Sequence, residues 1–104
     1  AGRPVVHTAY SAPTEFVHPQ GLVRSHLSPV YGMEDFVRYY DIGMRWGEPE
    51  LDHAIELLRD VRTRHAHWRE QAAAHRLVLL DRYSMARRIA ALDDALEAAR
   101  AAQR

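Results

Sequence analysis

The 104-residue chain contains no cysteine and no lysine. Without thiols there is neither a disulfide framework nor a thiolate metal site, which fits a cytosolic protein. Without lysine, every basic side chain apart from histidine is an arginine, and the 14 arginines meet 14 carboxylates for a formal net charge of zero. That balance gives no pull toward nucleic acid or toward an anionic membrane, and neither is expected as a partner. Apolar runs are short: none approaches the ~20 residues that a spanning helix needs. The N-terminus also lacks the pattern of a secretory signal. A soluble, cytoplasmic chain without a transmembrane segment is the expectation. It opens on Ala1-Gly2-Arg3 rather than on methionine, which leads us to expect a processed or truncated piece. The length allows one domain at most, a chain of this size burying something like two-thirds of its unfolded surface.

What is present is organised around Trp46–Arg59, written WGEPELDHAIELLR. Pro49 suits the first turn of a helix, because its fixed φ fits and its missing N–H has no partner there, so the helix is predicted to start at about residue 48. Leu51, Ala54, Ile55, Leu58 and Val61 then recur at helical spacing. They draw one apolar stripe that must be buried. Glu48, Glu50 and Asp52 near its start, with Arg59, Arg62 and Arg64 near its end, complement the helix macrodipole.

Taken in order, Pro4 to Ala9 is an apolar, β-branched run that reads as a buried strand. A turn follows, with Pro13 placed to open a single helical turn carrying Glu15, Phe16 and Val17. After the Pro19-Gln20-Gly21 punctuation, Leu22-Val23 suffices for a second small strand. From Ser25 to Gly47 the pattern loosens, yet five of the nine aromatics (Tyr31, Phe36, Tyr39, Tyr40 and Trp46) crowd there, which predicts a packed loop. Within it, Met33 to Tyr40 suits two helical turns. The Trp46–Arg59 helix is predicted to run to about His65, and a second to cover Trp68 to Leu80. Asp81 to Ser84 then breaks the chain, and Ser84 is suited to cap a last helix from Met85 to about Ala102. That helix carries Met85, Ile89, Leu92, Leu96 and Ala99 on one face, and its alanines favour helix intrinsically.

The seven histidines do not form a metal site on spacing grounds. His65 and His67 lie two apart on a helix and so point about 200° apart, whereas a helical chelate wants i and i+4. His53 lies on a polar flank, and His7, His18 and His26 follow no ligand pattern. No nucleophile elbow with flanking glycines occurs, so a hydrolase reading has no anchor. Arg59, Arg62, Arg64 and Arg69 interleave with Glu56, Asp60 and Glu70 at helical spacing, as on a solvated, ion-paired face.

The order of the pieces says more. AGRPVVHTAYSAPTEFV resembles the "EAMACGxPVVxTxxGGxPEVV" region of the large retaining group of GT-B glycosyltransferases, through Ala1, Gly2, Pro4, Val5, Val6, Pro13, Glu15 and Val17. Gly21-Leu22-Val23 is similar to the "GLLV" that follows there. WGEPELDHAIELLR resembles the "WAEPDxDHAAELMR" element of one branch, and RYSMARRIAALDDAL resembles the closing "RFSWERxAxRLxALY" helix. These segments span nearly the whole chain in the family's order.

The resemblance implies an α/β fold: the helix-rich C-terminal portion of a Rossmann-like GT-B domain, residues 1–104, with one or two short parallel strands and three or four helices. It implies transfer of a sugar from an NDP-sugar donor to an acceptor, with retention of configuration and no required metal or other cofactor. The family's donor-gripping residues, a basic pair and two glutamates eight positions apart, lie before the segment that opens this chain, so the piece alone is expected to be inactive. Ser11 and Ala12 replace the two glycines of the family's "GGxPE", which predicts a different turn. Glu15, the one family carboxylate retained there, is the single substrate-binding candidate, with structural bonding to the turn's N–H groups as the alternative. A strand at Val5-Val6 would have an unpaired edge. The rest of the enzyme or a partner chain is expected to cover it. The rival reading is a small helical protein–protein interaction module whose stripes on Leu51–Val61 and Met85–Ala99 form an interface.

Overall fold

A computed structural model describes residues 2–33 and 43–103. Two small sheets precede three long helices. Strand β1, His7–Thr8, leads through a one-turn helix α1, Pro13–Phe16, and a 3-10 turn, Pro19–Gly21, into β2, Leu22–Val23. The two strands pair in parallel, His7 with Leu22 and Thr8 with Val23, and Ala9 N–H extends the ladder to Val23 O at 2.8 Å. The predicted strand over Pro4–Ala9 is therefore shortened to two residues. Val5, outside the paired residues, is 51% exposed.

Two glycines set how closely the pieces approach. A Cβ on Gly21 would stand 2.0 Å from the carbonyl oxygen of Val5, and one on Gly47 would stand 2.4 Å from the Tyr10 ring. Only a residue without a side chain allows either contact.

The loop predicted over Ser25–Gly47 contains a hairpin instead. Strand β3, Ser25–Pro29, pairs antiparallel with β4, Arg45–Pro49, from Ser25 opposite Pro49 to Pro29 opposite Arg45. Pro49 consequently ends a strand and does not open a helix. Helix α2 runs from Leu51 to Thr63, and Glu50 N–H donates to Arg24 O at 2.8 Å as the chain leaves the hairpin. Glu48 lies in β4, so of the three acidic residues only Asp52 sits in the first turn of α2. The predicted helical turns at Met33–Tyr40, together with Phe36, Tyr39 and Tyr40, fall almost wholly outside the described residues. Tyr31 and Trp46 do pack together, edge to face, with ring centroids 5.7 Å apart.

Arg64, at φ −114° and ψ 39°, separates α2 from α3, His65–Arg82. Three hydrogen bonds make this elbow: Arg64 donates to both carboxylate oxygens of Asp60, at 2.6 and 2.5 Å, and Trp68 Nε1 donates to Asp60 Oδ2 at 2.8 Å. These bonds hold the Asp60 carboxyl below its usual range, those from Arg64 contributing most and that from Trp68 next. Ser84 then caps α4, Met85–Ala102, its hydroxyl accepting from Arg87 N–H at 3.3 Å.

Among the described residues the buried apolar side chains are Val17, Val23, Val30 and Trp68. Val17 and Trp68 both line the space between the N-terminal segment and α3. Elsewhere the predicted burial is incomplete: on α2, Ala54, Ile55 and Val61 are half-buried but Leu51 is 72% exposed, and every residue of α4 is exposed, Met85 at 70%. The radius of gyration is 18.8 Å, against ~13 Å for a compact chain of this length. The accessible surface is 8476 Å², against roughly 6,000 Å² for a folded monomer of this mass. Among the described residues, no helix is long and apolar enough to cross a membrane.

Candidate functional site

The turn from Ser11 to Val17 carries Glu15, and its own backbone holds it. Thr14 and Glu15 N–H donate to Ser11 O and Ala12 O at 3.1 and 3.0 Å, and Val17 N–H donates to Pro13 O at 2.9 Å. Thr14 Oγ1 adds a bond to Ser11 O at 2.7 Å. Ser11 has φ 57°, the left-handed region that glycine occupies without strain. Where the resemblance predicts a changed turn, Ser11 thus retains a glycine-like conformation. The Glu15 side chain is exposed and makes no hydrogen bond among the described residues, so it does not hold the turn.

A four-residue helix leaves its last carbonyls unsatisfied within itself. Helix α3 supplies the donors. His75 Nε2 donates to Phe16 O at 2.9 Å, and Arg82 Nη1 donates to Glu15 O at 3.0 Å. One residue further on, His18 caps the 3-10 turn, its Nδ1 accepting from Gln20 N–H at 3.2 Å. The His18 and His75 rings meet edge to face, centroids 5.1 Å apart and planes at 89°. Burial, and after it the neighbouring His75, pushes the His18 imidazole below its ordinary value.

Beside this junction lies an apolar groove of about 480 Å³ between the N-terminal segment and α3. Val5, Phe16, Trp68, Leu79 and Tyr83 line it, with His18 and His75 at its polar side. A second, open depression collects Arg3, His65 and Arg69 around Pro4 and Val61. Neither contains a nucleophile paired with a base.

No family model, curated protein or solved structure matches this chain.

The remaining histidines make local bonds. His53 Nδ1 accepts from Arg24 N–H at 2.9 Å, and His7 Nδ1 donates to its neighbour's carbonyl, Thr8 O, at 3.1 Å. Among the described residues no group of three or more histidines, aspartates and glutamates is placed to hold a metal ion. Arg24 Nε bonds Glu50 Oε2 at 2.8 Å, which lowers the Glu50 carboxyl from its usual range. Of the arginines on the helices expected to form an ion-paired face, Arg64 does so, with Asp60 four residues before it. The features that sequence reasoning missed are the hairpin and the docking of α1 on α3 through His75 and Arg82. The sequence carries no signal for the latter, because the bonded partners lie 59 and 67 positions apart.

Proposed function

We propose that this chain is the C-terminal segment of the donor-binding domain of a retaining GT-B glycosyltransferase acting in the cytoplasm. The observation that carries the reading is the β1–α1–β2 unit. Two parallel strands flank a one-turn helix in the order expected from the PVV, PTEFV and GLV elements, with β1 on His7–Thr8, just after Val6. Ser11 supports it further, holding a left-handed backbone where the family has glycine. A parallel pair of two-residue strands is far short of the multi-stranded sheet that such domains build. In this reading the rest of the enzyme, or a partner chain, covers Val5-Val6 and the outward side of β1.

The reaction moves a glycosyl group. The acceptor hydroxyl forms a new bond to the anomeric carbon on the face that the nucleotide leaves, the nucleoside diphosphate departs with the electron pair of the broken C–O bond, and the hydroxyl proton passes to the departing phosphate oxygen. The principal donor-gripping residues belong to the upstream part of the enzyme. Glu15 is the one residue here offered for substrate contact, its carboxylate exposed and unbonded on α1. The test is a thermal-shift titration of the intact enzyme with a panel of NDP-sugars. A ligand at a hundred times its Kd stabilises the folded state by ~2.7 kcal/mol, so one donor should raise Tm clearly. No shift with any donor at saturation overturns the reading.

A second reading is favoured by α4, whose apolar stripe of Met85, Ile89, Leu92 and Leu96 lies wholly exposed. On it the chain is a helical interaction module without enzymatic activity. The sequence encoded just upstream of Ala1 separates the two: two glutamates eight positions apart and a basic pair support the enzyme, and a start codon supports the module.

A further inference from the structure

The junction of α1, the 3-10 turn and α3 joins elements far apart in the chain through two imidazoles, and the hydrogen bonds fix which ring nitrogens carry hydrogen. Phe16 O accepts only, so His75 Nε2 bears the hydrogen of that 2.9 Å bond. Gln20 N–H donates only, so His18 Nδ1 offers a lone pair and the neutral ring carries its hydrogen on Nε2. One ring therefore works as a donor and the other as an acceptor, and their edge-to-face contact seats α1 on α3.

The two rings respond differently to acid. A proton taken up by His75 leaves its Nε2–H in place, and the bond to Phe16 O gains charge assistance. A proton taken up by His18 must enter at Nδ1. It consumes the lone pair that Gln20 N–H uses, and it turns two donors toward each other at the cap. The charged ring also meets a cationic surround. From α3 it meets His75, while Arg76 and, from the N-terminal segment, Arg3 line the same groove, and Arg82 is bonded to the adjoining Glu15 carbonyl. Tyr83 lines the same groove. On α1 the only carboxylate is that of Glu15, which bonds neither ring, and Asp81 at the end of α3 is held by Arg87 at 3.0 Å.

We propose that the His18–His75 contact is a proton-operated latch, which fastens the α1 turn and the 3-10 turn to α3 when His18 is neutral and releases them when His18 gains a proton. Burial supports the same direction, since it disfavours the charged form of His18. The released segment carries Glu15, Phe16 and Val17, so opening the latch loosens one wall of the apolar groove. The latch is independent of glycosyl transfer and stands or falls separately from it.

Two measurements on the full chain test it. In the unmodified protein, ring NMR signals of His18 followed against pH should titrate below the ordinary imidazole range of about 6.5. Over the same interval the protection of the Gln20 and Gly21 amides should fall about tenfold, so that relative to their intrinsic rates they exchange that much faster than at neutral pH, as a local opening requires. The variant His18→Asn keeps a side-chain acceptor and a good cap but cannot take up the proton, so it should lose this acid-induced acceleration and keep the protection seen at neutral pH. An ordinary or raised His18 titration overturns the proposal. So does acid-accelerated exchange at Gln20 and Gly21 that is equal in His18→Asn, and the titration needs no variant to fold.

Discussion

The N-terminal βα unit and the last helix solve the same problem in opposite ways. In the first, short elements with little intrinsic preference are held by long-range partners: β1 pairs with β2, and α3 satisfies the free carbonyls of α1 through His75 and Arg82. In α4, local code suffices for the helix itself, with a serine cap, many alanines and no Gly or Pro, yet nothing among the described residues covers it. In proteins most helical stability comes from packing an apolar face, and α4 lacks such packing among the described residues. The comparison teaches that one end of the molecule is specified by packing and the other by propensity alone. Only the second awaits a cover along its whole length.

Substitutions that separate the two regions test this contrast. The largest effect is expected from Trp68→Ala, which removes the most buried aromatic of the core and the indole donor to Asp60, at about 3–5 kcal/mol in denaturant unfolding. The cost should appear in the N-terminal unit while the helical circular dichroism of α4 persists. Gly21→Ala comes next, because its methyl group must displace the Val5 carbonyl; about 1–3 kcal/mol is expected, again confined to β1 and β2. Ser84→Ala probes the other region. Losing the cap should cost about 1 kcal/mol and fray the first turn of α4, read as faster exchange at Arg87, without touching Trp68 fluorescence. Smallest is Ser11→Gly, which removes roughly 1–2 kcal/mol of left-handed strain and returns roughly 0.5–1 in chain entropy, a net gain of about 0.5 kcal/mol in the N-terminal unit.

Acid sharpens the same comparison. Asp60 and Glu50 have carboxyls lowered in the folded state, so the unfolded chain binds more protons than the folded one. Their stabilisation is present above the ordinary carboxylate value near pH 4 and is lost as the pH falls through the lowered folded values. Asp60→Asn should flatten that acid limb and leave α4 unaffected. A stability profile unchanged by the substitution would contradict the elbow described here.

How much of this is legible in the residues follows from the same divide. Met85–Ala102 reads correctly because cap, composition and period act within a few residues of one another. Pro13 opens α1 for the same local reason. Pro49 reads wrongly because two rules compete for it: proline suits a first helical turn, but it also suits the end of a strand, and the pairing with Ser25 decides. The hairpin hides because Ser25, His26, Leu27 and Ser28 show no apolar alternation, and its partner strand contains Gly47 and Glu48. The break between the helices, expected between about His65 and Trp68, falls slightly earlier at Arg64, where no glycine or proline stands; Asp60, bonded to Arg64 and Trp68, fixes it there. Glu15 is named from a resemblance, and its exposed position follows from its neighbours bonding one another rather than from anything in its own identity.

Amide hydrogen exchange on the chain by itself tests the central claim most directly. The account predicts strong protection at Ala9, Val17 and the Trp68 turn, with α4 from Arg88 to Ala102 exchanging near the unprotected rate. Protection in α4 equal to that around Trp68, in the absence of any partner, would contradict it.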